Sequence, residues 1–238
     1  MPNKRRILGQ HMLVDRKVLV DIVAAANIDE NEIVCEAGTG RGILTLELCK
    51  RARKVFSFEV DKALYSRACS EMTSSKLELI NADLFDCTHL LFDVFVSNLP
   101  YSRSRDAFEW LAMQRFKRGV VMVQKEFADK LLAGPNDKNY RAISAIAACC
   151  FKVKELFHVG SESFEPRPKV ESVVLGIQPV QAVSRKTIRN LNLLFSKRNK
   201  KASSVASRAG IANFELGETR IDKLTPDRLM ELAVLMPG

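Results

Sequence analysis

The 238-residue sequence predicts an α/β chain: a Rossmann-like domain on a mostly parallel sheet over residues 1–180, then a small helical domain over residues 181–238. Three observations predict it. From residue 15 to about residue 150, short apolar runs of strand character alternate with runs of helical spacing, the pattern of successive βαβ units. The first strand-like run breaks directly into three glycines, which let a backbone turn sharply and approach a ligand. Beyond Pro179 the register changes, and each segment reads as helix.

Taken in order, DRKVLVDIVAAAN (15–27) has apolar positions at helical spacing. EIVCEAGTGRG (32–42) is a strand ending in the glycines, and ILTLELCKRA (43–52) is helical. KVFSFEV (54–60) is a strand, KALYSRACSEM (62–72) a helix and KLELINAD (76–83) a strand. DVFVSN (93–98) is the next strand, followed by helix RDAFEWLAMQRF (105–116) and strand GVVMVQ (119–124). EFADKLLA (126–133) and YRAISAIAACC (140–150) read as helices. FKVKELFHV (151–159) and KVESVVLGIQ (169–178) are closing strands with no helix between them, which suits an antiparallel pair. The tail holds three helical runs, 187–199, 202–211 and 225–236. The last opens on Thr225 as N-cap, Pro226 at the first helical position and Asp227 at the positive end of the dipole.

Composition narrows the class. No run of about 18 apolar residues is present to span a membrane, and the basic leader MPNKRRILGQHML has no long apolar segment behind it to act as a secretory signal. The six cysteines show no CxxC pairing, so reduced, mostly buried thiols in a cytoplasmic protein are expected, with no metal site. The net charge of +9 is uneven: +4 over residues 1–17, +6 over residues 181–238 and about −1 between. A near-neutral body with basic ends implies a polyanionic partner, most simply nucleic acid. The clusters are Lys4, Arg5 and Arg6 at one end and Lys197, Arg198, Lys200 and Lys201 at the other, with the face around Arg103 and Arg105 as an alternative docking surface.

Gly38, Gly40 and Gly42 stand at the carboxyl end of the first sheet strand, where open α/β sheets bind ligands. The spacing is GxGxG with no following Gly-Lys-Ser/Thr, which excludes a P-loop. Glu59 ends the next strand and suits a ribose diol; Asp83 ends the third and suits an adenine amino group. Glu36 adds further negative character. So many carboxylates oppose a dinucleotide pyrophosphate and suit a cationic nucleoside, S-adenosylmethionine.

The fourth strand points its end at the same place and stops on Asn-Leu-Pro-Tyr. The exocyclic amine of adenine is a poor nucleophile because its lone pair is delocalised into the ring. Acceptors for both of its N–H groups would help, and the Asn98 side-chain carbonyl and the Leu99 backbone carbonyl supply two. Pro100 fixes the turn without adding a competing donor, and Tyr101 offers a flat face for the base.

With GQHML (Gly9 to Leu13), EAGTGRG, NAD, NLPYS and FEPRPKVESVV (Phe164 to Val174) in this order, the chain resembles the ribosomal RNA adenine N6-dimethyltransferases. These enzymes modify two adjacent adenosines near the 3′ end of small-subunit rRNA. The likeness runs closely from residue 5 to about residue 178 and more loosely over the tail. It implies a class I methyltransferase fold, S-adenosyl-L-methionine as cofactor, and small-subunit rRNA or a pre-ribosomal particle as partner of a cytoplasmic monomer. By the same resemblance, Gln10, His11 and Leu13 lie against the methionine part of the cofactor. Gly38 and Gly40 line it, Glu59 takes the ribose and Asp83 the adenine. Asn98, beside the methyl donor, grips the target adenine with Leu99, Pro100 and Tyr101, and Phe164 closes over the base's other face. Read on its own, a Phe before two prolines is equally a core plug.

Two departures stand out. His11 occupies a position where the family more often has Asn, and FSKRNKKASSV matches the family's basic tail only in part. The compact form resembles archaeal members. Competing readings are a large-subunit rRNA methyltransferase of the macrolide-resistance type, a DNA or protein N-methyltransferase with an NPPY-like motif, and a non-catalytic assembly or transcription factor on the same fold. Intact glycine and NLPY motifs oppose the last; Leu99 and FEPRPKV oppose the NPPY type.

Overall fold

The computed structural model describes residues 11–88, 90–211 and 218–237. Its main sheet has seven strands in the order β4-β3-β2-β5-β6-β9-β7. These are β2 (Ile33–Ala37), β3 (Lys54–Phe58), β4 (Leu77–Ile80), β5 (Val94–Asn98), β6 (Arg118–Gln124), β7 (Phe151–Val159) and β9 (Ser172–Pro179). β2 to β6 run parallel, and β9 is antiparallel to β6. The closing strands β7 and β9 are neighbours, as their lack of an intervening helix suggested. The chain runs from β2 outward to β4, then returns to place β5 against the other side of β2. The strand order therefore reverses between β2 and β5, and such a switch point opens a crevice beyond the strand ends.

Local sequence explains the connecting helices. Asp15 caps Arg16–Ala26 by accepting from the Lys17 and Val18 amides, and Asn27 closes it in the left-handed region. Asp61 caps Lys62–Glu71 in the same way. Val34 to Ala37 are all buried, as an inner parallel strand requires. Leu19, Ile22 and Val23 of the first helix join Leu44, Leu48, Val55, Val96 and Val174 in one apolar core.

Two compact units divide the chain. The first holds the described parts of Met1–Ala107, Arg115–Lys125 and Lys154–Gln178; the second holds those of Phe108–Gln114, Glu126–Val153 and Pro179–Gly238. The second unit is therefore larger than a tail beginning at residue 181. The reason is the helix Ala142–Cys150, AISAIAACC, which is apolar on nearly every side and packs with Arg185–Ser196 and Pro226–Leu235. Thr225 caps the last of these with Pro226 inside its first turn, as expected. Of the six cysteines, Cys35, Cys49, Cys149 and Cys150 are buried, while Cys69 is exposed and Cys87 partly so.

Two short strands were not foreseen. β1 (Met12–Leu13) pairs antiparallel with β8 (Phe164–Glu165), Met12 opposite Glu165 and Leu13 opposite Phe164. Val14 N–H extends the ladder to the Ser163 carbonyl at 2.9 Å. This pairing brings Met12 and Leu13 against the start of FEPRPKV.

Candidate active site

The glycine loop is held from β3. Gly38, Gly40 and Gly42 have φ of +85°, +56° and +77°, a region that L side chains rarely adopt. The Gly38 and Thr39 amides both donate to the Phe58 carbonyl, at 2.8 and 3.2 Å. The Gly40 amide donates to Glu59 Oε2 at 2.9 Å, and the Asp61 amide to Glu59 Oε1 at 2.9 Å. Each oxygen of this buried carboxylate thus accepts one backbone bond, and a carboxylate oxygen has room for a second.

Glu36 lies beneath the loop, 1% exposed. The Thr45 and Ser57 hydroxyls both donate to its Oε2 at 2.6 Å, and Oε1 has no hydrogen-bond partner. Burial pushes its carboxyl up to about 7 against the pull of the two hydroxyls, and Glu59 adds to the rise. An orphaned buried oxygen is costly unless something else meets it.

Across the switch point, Ser97 Oγ donates to the Ala37 carbonyl at 2.6 Å and ties the end of β5 to that of β2. The Leu99 amide donates to the Met122 carbonyl, and the Leu99 side chain is buried. Pro100 opens a 3₁₀ turn, Tyr101–Arg103, closed by the Arg103 amide on the Pro100 carbonyl. A Cβ built on Gly38 would meet Pro100 Cδ at 3.8 Å, so the two loops are in van der Waals reach. Asn98 Nδ2 donates to the His11 carbonyl at 3.4 Å. Only the NH₂ end of the amide can serve a carbonyl, so Oδ1 is the end left for another donor. Tyr101 Oη shares a 2.7 Å hydrogen bond with Ser172 Oγ.

His11 packs its ring 5.2 Å from that of Tyr101, and its Nδ1 lies 2.7 Å from the Pro166 carbonyl oxygen. Met12 reaches over the glycine loop: its Sδ is 3.2 Å from where a Gly40 Cβ would stand. Arg41 and Glu165 form a 3.1 Å ion pair from loop to β8.

These parts line an open cleft, about 630 Å³ with the solvent at its mouth included. His11, Leu13, Gly38, Gly40 and Glu59 line it, and so do Asn98, Leu99, Pro100 and Tyr101. A second hollow of about 420 Å³ shares Gly38, Glu59 and Pro100 with it and adds Val60, Asp83, Phe85 and Arg103. Asp83 thus lines a hollow beside the first cleft. Gln10 lies outside the described residues. Phe164 requires a correction. Its ring is 2% exposed, belongs to the apolar core opposite Leu13, and lines neither hollow. In this structure it packs as a core plug behind β1, the other reading of a Phe before two prolines.

Sequence reasoning missed Met12, Ser172 and the pairing of Arg103 with Asp83. Arg103 had been grouped with Arg105 as a docking cation. Its guanidinium lies 2.8 Å from Asp83 Oδ2 and 2.8 Å from Asp106 Oδ2. No local pattern signals a partner twenty residues upstream.

A mainly parallel sheet with a glycine loop, an acid just beyond each of the next two strands and NLPY across the switch point has the build of a class I methyltransferase. The family model for ribosomal RNA adenine dimethylase matches residues 1–208, and the chain belongs to that family. A probable ribosomal RNA small subunit methyltransferase A of Pyrococcus abyssi (strain GE5 / Orsay) is 31% identical over 245 residues, covering 97% of this chain and 90% of the relative. The ribosomal RNA small subunit methyltransferase A of Mycoplasmopsis synoviae (strain 53) is 35% identical over 217 residues, covering 87% and 83%. A crystal structure of a dimethyladenosine transferase from Plasmodium falciparum superposes with a TM-score of 0.77 at 27% identity, covering 93% of this chain and 96% of that one. The 23S rRNA methyltransferase ErmE, at 22% identity and a TM-score of 0.61, shares the fold. Among the described residues, no cluster of His, Cys, Asp and Glu could hold a metal ion, and no helix is long and apolar enough to cross a membrane.

Proposed function

We propose that this methyltransferase transfers methyl groups from S-adenosylmethionine to the N6 amine of adenosines in small-subunit rRNA, two adjacent ones near the 3′ end. The observation that carries the reading is Asn98. Its amide is turned by the His11 carbonyl so that Oδ1 remains for a donor, beside a glycine loop backed by two buried acids. The cleft fits the cofactor on its own chemistry. Glu59 keeps a lone pair on each oxygen for a ribose diol, Glu36 holds an orphaned oxygen, and bare glycine backbone leaves room for close approach. Adjacent small-subunit relatives at 31–35% identity favour that rRNA over the large-subunit substrate of ErmE, whose likeness is one of fold.

When bound, S-adenosylmethionine supplies an electrophilic methyl group on a sulfonium. Asn98 Oδ1 and the Leu99 carbonyl accept from the two N–H groups of the target amine and turn its lone pair toward that methyl. Pro100 and the 3₁₀ turn behind it fix those acceptors, and Tyr101, held through Ser172, gives the base a surface to stack on. No strong base is required, because the amine releases its proton to water after the N–C bond forms and the C–S bond breaks.

Asn98→Ala should lower the single-turnover rate on small-subunit rRNA by about 10²–10³. Calorimetry should find its cofactor affinity close to normal. A near wild-type rate would remove Asn98 from the chemistry. Primer extension on rRNA from cells lacking the gene, after treatment with enzyme, should show two new adjacent stops near the 3′ end of the small-subunit rRNA. Stops in large-subunit rRNA alone would favour the macrolide-resistance type.

A further inference from the structure

Asp83, three residues beyond the end of β4, caps the 3₁₀ turn Leu84–Asp86 and is tied on both oxygens to the protein. Oδ1 accepts the Phe85 amide at 3.0 Å, and Oδ2 accepts from an Arg103 terminal nitrogen at 2.8 Å. Arg103 is itself restrained. Its backbone closes the 3₁₀ turn Tyr101–Arg103, its guanidinium lies 5.0 Å from the centre of the Phe85 ring, and its Nε is 2.8 Å from Asp106 Oδ2 in an ion pair. Asp83, Phe85 and Arg103 line the same hollow, which opens beside Glu59.

We infer that Arg103 is a positioning residue for cofactor recognition: it locks the Asp83 carboxylate in the orientation that accepts the amino group of the cofactor's adenine. The inference rests on the proposed seat of the cofactor, with its ribose at Glu59 and its base in the adjoining hollow. A carboxylate gripped from one side by a charged donor cannot swing away, and its remaining lone pairs stay aimed into the hollow. A Lys at this place would keep the charge and lose the planar fork. The sequence carries the arginine on the turn that shapes the target-adenine site, so one short segment serves both bases.

The test is ligand discrimination, which general damage does not mimic. Calorimetry compares S-adenosylhomocysteine with S-inosylhomocysteine, whose base bears a carbonyl in place of the amino group. Wild type should prefer the adenine ligand by about ten- to a hundredfold, the worth of one hydrogen bond to a charged group. Arg103→Met should lose most of that preference by weakening the adenine ligand alone. Asp83→Ala should lose it too, and the double variant should bind like Asp83→Ala. Arg103→Lys should keep part of the preference, and it carries the same comparison if Arg103→Met does not fold. A wild-type preference that survives intact in Arg103→Met, or in Arg103→Lys where that variant stands in, overturns the role of Arg103 alone. So does equal weakening of both ligands. A wild type without preference overturns the seating of adenine at Asp83, and the inference with it.

Discussion

Glu59 holds the glycine loop and, on the proposed function, takes the cofactor's ribose; one substitution separates the two. It is 2% exposed, and both oxygens accept backbone amides at 2.9 Å, from Gly40 in the glycine loop and from Asp61 at the next helix cap. Hydrogen bonds to a charged group contribute about 1.5–3 kcal/mol each, so Glu59→Ala would give up roughly 3–6 kcal/mol of loop support. Against a total stability of about 5–15 kcal/mol, that variant confuses lost binding with lost fold. Glu59→Gln is the sharper perturbation. Its amide has one acceptor and one donor, so whichever way it turns, an NH₂ group faces a backbone N–H. One of the two bonds is lost, and the ligand-free protein should be less stable by about 1.5–3 kcal/mol. The ribose loses an acceptor as well, so cofactor affinity should fall by about ten- to a hundredfold. Urea denaturation with and without S-adenosylhomocysteine reads both effects. At 100 times the wild-type Kd the ligand adds about 2.7 kcal/mol to wild type, and to a variant binding tenfold more weakly about 1.4 kcal/mol. Unchanged ligand-free stability would refute the bond to the loop. An undiminished gain from ligand would refute the contact with the ribose.

Three further outcomes follow from the geometry. Glu36 titrates at about 7 in the folded chain, above the usual glutamate value of 4.5, so the folded state holds the proton longer. Its contribution is therefore full below about pH 4.5 and is lost as pH rises through 7, about 3 kcal/mol in all. Glu36→Gln should remove that decline from urea midpoints measured between pH 4.5 and 8, and parallel curves for the two proteins would exclude it. Tyr101→Phe strands the buried Ser172 hydroxyl and should cost about 1–3 kcal/mol. Adding Ser172→Ala should restore most of that stability, whereas Tyr101→Ala should be the most damaging to methylation. In the tail, Lys201 is paired with Glu218 and Arg198 lies 3.9 Å from Asp222, while Lys197 and Lys200 are exposed. The double change Lys197→Ala/Lys200→Ala should then flatten the log–log salt dependence of RNA binding by about 1.4–1.8, more than Arg198→Ala/Lys201→Ala does; the reverse order would show that the paired cations face the RNA.

The glycine loop, its acids and Asn-Leu-Pro-Tyr were legible because each closely follows a strand whose apolar run is unmistakable, and chain order then fixes the sheet end they share. β4 stops at Ile80, short of the strand read to Asp83, because Asp83 caps the 3₁₀ turn Leu84–Asp86. The β1–β8 pair was not legible. Two-residue strands carry no periodicity, and nothing in HML points to a partner more than 150 residues away. For Phe164 the motif suggested a ligand wall, but its register opposite Leu13 turns the ring into the core. The membership of the helix Ala142–Cys150 in the second unit was equally hidden, since an all-apolar segment does not say which neighbours will cover it.

The arrangement of acids bears on why this cleft suits a cationic ligand at all. Carboxyl groups from three consecutive strands lie at one end of the sheet, and unrelieved like charges at such spacing would destabilise the fold. The structure relieves each differently. Glu36 is withdrawn from solvent and biased toward its neutral form. Glu59 spends one lone pair per oxygen on backbone amides. Asp83 is countered by Arg103, which Asp106 holds in turn. Each device still leaves acceptor capacity: an orphaned Oε1 on Glu36 and second lone pairs on Glu59 and Asp83. On the proposed seating, a ligand carrying a positive sulfonium, a diol and an amino group would find acceptors here, whereas a pyrophosphate would face the charge of Glu59. If the cofactor sits as proposed, the means by which the fold tolerates its own charge also select the ligand class.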